Sequence, residues 1–329
     1  MSFLHDLTFG EQPQDRQWAG LEERSDWYDF DSSKLQCYMQ CPRRYFYEYV
    51  CGWKPDVQSN HLVFGQAWHE AMEHLLLYGY SDDAIIGAYD KFLTCYRKHF
   101  PESTDESFAP KTPTNALKAL AQYCERYKDD NFEVLHTELG GRLSLNFESP
   151  HLAIIYKIDA IVRHKGQVVV LEHKTKGGSF SQWWADQWKT SFQIGTYTFA
   201  AKCLYEDANN VVVNGTGFLK TRIDFMRIPV TKTEPQINMW YKLAVFYIRQ
   251  ILWDIDILQE ALRKGGDMSA AFIPNPTACT NFFGCPYVDL CLSWENPLDH
   301  IHRLPSGFHV DIWNPLERVK YKQDLNLNP

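Results

Sequence analysis

Two short apolar runs in the middle of the chain constrain it more than any other feature. In KIDAIV, Asp159 sits among Ile155, Ile158, Ala160, Ile161 and Val162, and in VVVLEHK four apolar residues lead into Glu172, His173 and Lys174. Lys165-Gly166 between the runs is a good hairpin turn, so the runs read as neighbouring strands. Glu172 and Lys174 are two apart and share one face of a strand. Acids on two paired strands can chelate Mg2+ or Mn2+ through oxygen. A lysine beside them can orient an attacking water, favour its hydroxide form or steady the charge on a phosphate. This is the donor set that phosphodiester hydrolysis requires. The plain alternative is a half-solvated sheet with ordinary polar residues, and D-x(12)-E-x-K alone does not decide between the two.

The surrounding pattern predicts an α/β or α+β domain. Residues 1–30 are polar and mixed and are expected to form a flexible lead-in. Asp31 and Ser32 are good N-cap types, and a helical pattern follows through Leu35, Tyr38, Met39, Tyr45, Phe46 and Tyr49, kinked or restarted at Cys41-Pro42. Helices are expected over 61–78, 82–100 and, after a loop at 101–112, up to about residue 129. Strand-like runs follow at 132–138, 142–148, 152–162 and 167–173, with Gly140-Gly141 and Lys165-Gly166 as hairpin turns, which together suggest a mainly antiparallel meander. A helix over 185–206, strands near 211–219 and 223–230, a long helix over 234–264 and an aperiodic tail from Asp267 complete the pattern. The expected organisation is the lead-in, a helical segment at 31–130, a core at 131–232, and residues 233–329 packed with that core as one domain.

With 329 residues, 45% of them hydrophobic, the chain can bury a substantial core. Its net charge of −8 argues against a general nucleic-acid coating protein. It leaves room for an enzyme whose carboxylates hold metal and whose basic groove is local. The N-terminus has no basic segment followed by an apolar one, and no run approaches 18 apolar residues, so a cytoplasmic protein without a membrane partner is expected. Nine cysteines in that setting do not read as a disulfide framework.

Gln193 and Tyr197, four apart, share a helix face downstream of the strands, and Gly65-x(3)-His69 lies on a helix upstream. Each pair alone is ordinary. The ordered set Gly65-x(3)-His69, Asp159, Glu172-x-Lys174 and Gln193-x(3)-Tyr197 resembles the PD-(D/E)XK nuclease superfamily, and within it the RecB-like exonuclease branch, over roughly residues 31–295. The resemblance implies an αβββαβ core, a mixed central sheet flanked by helices, with an N-terminal helical insertion. It implies that Asp159, Glu172, His69 and the main-chain carbonyl of His173 hold one or two Mg2+ or Mn2+ ions, and that Lys174 is the catalytic lysine. Gln193 and Tyr197 would position DNA or support the site. Glu138 is the candidate for the acid on the first core strand, and the His173 side chain receives no role. No G-x(4)-G-K-[ST] loop is present, so a helicase or recombination protein would be a separate partner.

Cys279, Cys285 and Cys291 are evenly spaced with no fourth cysteine nearby, which suggests a ligand from elsewhere in the chain. Cys41, followed by Pro42 as Cys285 is by Pro286, is the natural candidate, and Cys37 is a possible substitute. A subset of RecB-like nucleases, including AddB-type proteins and CRISPR-associated adaptation exonucleases, holds a [4Fe–4S] cluster on one early and three late cysteines. The resemblance extends that cluster to Cys41, Cys279, Cys285 and Cys291, although the spacing here is C-x(5)-C-x(5)-C where C-x(2)-C-x(5)-C is common. Structural zinc and unliganded thiols are the alternatives. Cys51, Cys95, Cys124 and Cys203 read as ordinary buried cysteines.

For DNA contact, Arg43, Arg44, Lys174, Lys176, Lys189, Lys220 and Arg222 are groove candidates. Tyr45, Phe46, Tyr47, Trp183, Trp184 and Trp188 are candidates for stacking on bases, with core packing as the ordinary alternative. Trp183 and Trp184 rank first because they follow a Gly/Ser-rich loop, KGGSFSQ. The expected activity is a metal-dependent DNA exonuclease preferring single-stranded ends, with a structural [4Fe–4S] cluster. A structure-selective endonuclease and a non-catalytic DNA-binding or scaffold subunit are the alternatives.

Overall fold

A computed structural model describes residues 20–145, 152–268, 270–281, 284–317 and 319–326. Its elements are α1 (Ser32–Gln40), α2 (Pro42–Tyr45), β1 (Trp53–Pro55), α3 (Asn60–Tyr78), α4 (Asp82–Tyr96), α5 (Pro113–Arg126), β2 (Glu133–Ser144), β3 (Ala153–His164) and β4 (Gln167–Gly177). There follow α6 (Gln182–Thr190), α7 (Phe192–Leu204), β5 (Asn210–Phe218), β6 (Ile223–Thr231), α8 (Glu234–Lys264), α9 (Val288–Ser293), β7 (Phe308–Val310), β8 (Tyr321–Lys322) and β9 (Leu325–Asn326). They fall into two compact units, residues 58–242 with 315–329, and residues 1–57 with 243–314. No described helix is long and apolar enough to cross a membrane.

The first unit is built on one sheet with strand order β6-β5-β4-β3-β2-β8, and β9 also pairs with β2. β2, β3 and β4 run antiparallel in sequence, whereas β4 and β5 are parallel. A parallel pair needs a crossover, which α6 and α7 supply. The order α3, β2-β3-β4, α6-α7, β5 realises the αβββαβ core, and the sheet is mixed rather than a mainly antiparallel meander. On β4, Leu171 packs with Leu76 of α3 while Lys174 bonds to Gln193 of α7. Strand alternation therefore turns odd-numbered β4 residues toward α3 and even-numbered ones toward α7. Phe64, Trp68, Phe92, Tyr96, Leu120 and Phe218 join α3, α4 and α5 to β5 in one apolar cluster.

Gly140-Gly141 is not a turn, because β2 runs unbroken from Glu133 to Ser144 with Gly140 opposite Lys157 and Gly141 opposite Tyr156. The glycines admit the C-terminal segment. A Cβ on Gly141 would lie 1.9 Å from the Gln323 carbonyl oxygen, and one on Gly140 would lie 2.4 Å from the Val319 side chain. That segment lies parallel beside β2, with Tyr321 opposite Leu139 and Leu325 opposite Leu143, and covers an edge that would otherwise be open. Part of the strand expected at 142–148 falls at residues 146–148, outside the described residues. The helix expected over 185–206 is two helices, because Ser191 caps α7 by accepting from the Ile194 N–H. Gly141→Ala is expected to displace the C-terminal segment and cost about 1–3 kcal/mol of stability, read from urea unfolding. An unchanged midpoint would contradict this account of the glycine pair.

In the second unit, Asp31 caps α1 by accepting from the Lys34 N–H, and Pro42 restarts the helix as the first residue of α2. Within the segment expected to be a lead-in, Trp27 and Phe30 are buried, and residues 1–19 lie outside the described ones. Tyr45, Phe46 and Tyr47 are completely buried. Tyr45 stacks on Phe272, and Tyr47 stacks on Trp53 and Tyr287. They form an aromatic core and offer no face to a base. β1 pairs antiparallel with β7, and Tyr287 donates to the Trp53 carbonyl at 2.6 Å.

Candidate active site

α3 approaches β4 closely where Gly65 leaves Thr175 Oγ1 3.9 Å from the place its Cβ would occupy. One turn later His69 reaches Asp159, with Nδ1 3.0 Å from Oδ2. The same Asp159 oxygen accepts the His173 main-chain N–H at 2.9 Å, which ties β3 to β4. Thr137 pairs with Ala160 and Leu139 with Ile158, so Glu138 and Asp159 stand level on adjacent strands. Glu138 has a left-handed backbone, φ 46°. Its carbonyl accepts from the Lys320 N–H at 3.0 Å, and its Oε2 lies 2.6 Å from Lys157 Nζ.

The ligand atoms of His69, Glu138 and Asp159 lie within 4.8 Å of one another, the one such group among the described residues. Two carboxylates and an imidazole suit Mg2+ or Mn2+. Glu172 lies outside that group. It is ion-paired with Lys174 through Oε1, and its buried Oε2 has no hydrogen-bond partner. A buried carboxylate oxygen without a partner is costly, and a cation is what would satisfy it. Lys174 Nζ also donates to Gln193 Oε1 at 3.0 Å, and Gln193 Nε2 donates to the Tyr197 hydroxyl at 2.7 Å. The motif residues are thus joined in two hydrogen-bonded strings, His69–Asp159–His173 and Glu172–Lys174–Gln193–Tyr197.

The charges are crowded in the manner of a cation site. Burial, reinforced by Asp159, pushes Glu172 up to about 7 and also raises Glu138. Burial works against ionised Asp159, but His69 and the His173 N–H outweigh it and hold this carboxyl well below the usual range. His69 is raised in return, its burial outweighed by Asp159, and Lys174 is raised by Glu172 despite its own burial. Burial lowers His173 to about 3. For Glu172 the neutral carboxyl is therefore the form favoured by the metal-free fold. That stabilising contribution is complete below about 4.5 and is lost as pH rises through about 7. A divalent ion needs the carboxylates ionised, so the gain in Tm from Mn2+ is expected to grow between about pH 6 and about pH 8. A gain independent of pH would contradict the acid-lined site.

Behind His173 lies a polar relay that local sequence patterns do not reveal. Asn214, level with His173 on β5, contacts its Nδ1 at 3.2 Å and donates to the Tyr123 hydroxyl at 2.6 Å. Arg227 of β6 donates to Asn214 Oδ1 at 3.3 Å and grips both oxygens of Asp130. Parallel pairing across a long crossover brings these residues together, and spacing along the chain carries no sign of it. Lys157 was readable, because it lies two residues before Asp159 and so shares its strand face.

Among the DNA-contact candidates, Trp183 is 71% exposed at the start of α6. Trp184 is buried instead, packed where a Cβ on Gly215 would lie 2.5 Å from its ring. Lys176 is half-buried, and its Nζ donates to the Ser179 carbonyl at 2.8 Å. Arg43 is buried in the other unit, with Nε donating to the Phe272 carbonyl, so it offers nothing to a groove. Arg44, in the same unit, is paired with Glu48 at 2.9 Å.

That second unit also holds Cys41, Cys279, Cys285 and Cys291, none of them in a disulfide. The Asn275 N–H lies 3.3 Å from Cys41 Sγ, and the Cys285 N–H donates to the Cys279 carbonyl at 2.9 Å. Burial pushes the Cys291 thiol up to about 12, with a further contribution from the other three thiols, which are close enough to interact with it. Cys51 and Cys124 are buried as expected. Cys95 is half-buried and packs against the cluster of α3, α4 and α5, whereas Cys203 is exposed at the end of α7 and is not a core thiol.

A family model described as the PD-(D/E)XK nuclease superfamily matches residues 32–292, most of the chain. The chain belongs to the PD-(D/E)XK nuclease superfamily. No curated protein matches it. Among solved structures, a candidate exonuclease from Eubacterium rectale is 14% identical with a TM-score of 0.42, the match covering 84% of this chain and 100% of the other. The structure of SSO0001 is 15% identical with a TM-score of 0.26, covering 55% of this chain and 84% of the other. Members of the superfamily are nucleases that act with divalent metals, and the acids grouped at Glu138 and Asp159 give this PD-(D/E)XK chain a place for one.

Proposed function

We propose that the chain is a metal-dependent DNA exonuclease of the RecB-like type, preferring single-stranded ends and carrying a structural [4Fe–4S] cluster. The observation that carries the nuclease reading is the convergence of His69, Glu138 and Asp159 beside the Glu172–Lys174 pair. These acids, His69 and the His173 carbonyl would hold the divalent ion, which supplies charge neutralisation at the phosphate and a more acidic water. Lys174 has three ammonium protons, two of them engaged by Glu172 and Gln193. The third is available for the attacking water or a phosphate oxygen. Gln193, held by Tyr197, fixes the direction of that ammonium. Hydrolysis then joins the water oxygen to phosphorus as the bond to the departing sugar oxygen opens.

The exposed face of Trp183, six residues beyond β4, supports a single-strand preference, since every base can stack on it. For the cluster, four free thiols from the two ends of the chain share one unit, and an amide is directed at one sulfur. The test of exonuclease action is a linear strand against a covalently closed single-stranded circle, with Mn2+ in both. The linear strand is expected to disappear and the circle to survive, while a nicked circle would establish an endonuclease.

A further inference from the structure

Lys320, in the C-terminal segment beside β2, makes two contacts that run in different directions. Its main-chain N–H donates to the Glu138 carbonyl at 3.0 Å. Its ammonium is ion-paired with Glu73 Oε2 on α3. Glu73 follows His69 by four residues, about one helical turn, so the two share a face of α3. One residue therefore ties the strand position that supplies Glu138 to the helix turn that supplies His69. All four residues belong to the first unit. Glu73 is buried and its Oε1 has no hydrogen-bond partner, so the burial of this carboxylate depends on Lys320.

The ion pair is not what docks the segment. Tyr321 and Lys322 pair with Leu139 and Gly140, and Leu325 and Asn326 with Leu143 and Ser144. The Gln323 N–H donates to the Gly140 carbonyl at 2.9 Å, the Gln323 carbonyl accepts from the Tyr156 hydroxyl at 2.7 Å, and Asp324 Oδ1 accepts the Arg142 N–H at 2.8 Å. What the pair adds is a fixed relation between α3 and Glu138. Glu138 needs that support, because a glutamate holds a φ of 46° only where its surroundings impose it. Its ligand atom and those of His69 and Asp159 converge within 4.8 Å. We propose that Lys320 is a positioning residue for the divalent-ion site, holding Glu138 and His69 at ligand spacing through its main chain and its ammonium together. The inference rests on the metal-dependent reading and adds to it a support from a distant part of the chain.

The test is the Mn2+ affinity of the full chain without DNA, read by electron paramagnetic resonance, with Asp159→Ala marking the ions bound at this site. Lys320→Met combined with Glu73→Met removes the ion pair without leaving a buried charge, and exchanging such a pair for apolar groups of similar size is often neutral for stability. The double variant is expected to bind Mn2+ about tenfold more weakly at an unchanged urea midpoint. Lys320→Arg, which keeps the charge, is expected to retain most of the affinity. Wild-type affinity in the double variant would show a merely structural pair and overturn the inference alone. A second measurement needs no variant. In wild type, Mn2+ is expected to slow amide exchange over residues 319–326 about tenfold, because a segment that positions ligands is held in turn by the ion they bind. Exchange that ignores Mn2+ would also overturn the inference. A wild-type protein that binds Mn2+ no better than Asp159→Ala would overturn the metal-dependent reading itself.

Discussion

Lys174→Met is expected to lower kcat on a single-stranded substrate by about a hundredfold to a thousandfold while leaving Mn2+ binding in place. The ammonium sits between Glu172 and Gln193, so its direction is set before substrate arrives. Methionine is unbranched and fills much the same volume, which isolates the charge from the packing. The substitution leaves Glu172 buried without its cation, at a cost of about 1–3 kcal/mol of stability. Unfolding must therefore be measured beside rate, at a temperature where both proteins are folded. A folded variant that cuts at the wild-type rate would remove Lys174 from the chemistry. The expected pattern also separates this account from a non-catalytic DNA-binding subunit, for which wild type and variant would be equally inactive.

Cys285→Ser is expected to bleach the protein and lower its stability by about 2–5 kcal/mol, by analogy with the loss of a covalent cross-link. The reason lies in chain topology. Cys41 ends the first helix of its unit and Cys291 lies in α9, so a cluster shared between them closes a very long loop. Its predicted effect is structural, and the readouts are iron content, visible absorbance and the denaturation midpoint of anaerobically purified protein. A Cys285→Ala protein that stays folded and fully active would defeat the staple. Four zinc-bound thiols in place of iron would keep the cross-link and overturn the cluster.

The linear spacing of the chain reveals the site's grouping wherever regular elements carry it. Glu172 and Lys174 share a face because strands alternate, and Gln193 and Tyr197 share one because four residues make about a helical turn. Asp159 and His173 meet because a tight hairpin joins their strands. Spacing fails where partners come from far along the chain. Gly140-Gly141 has the composition of a turn, and only residues 319–326 explain why these positions must lack a side chain. Glu138 reaches His69 and Asp159 through a left-handed backbone that no local pattern announces. Tyr45, Phe46 and Tyr47 have the spacing of core residues and the chemistry of a base-stacking surface, and the packing of Phe272, Tyr287 and Trp294 against them makes them core.

The central claim is that the acids beside β4 hold a divalent ion used in phosphodiester hydrolysis. Its most direct test is the rate of end-label release from a single strand as Mn2+ is titrated, in wild type and in Asp159→Ala. Saturable release is predicted for wild type, and none for the folded variant at any Mn2+ concentration. Equal release by the two proteins, or no release from wild type with Mn2+ or Mg2+, would contradict the account.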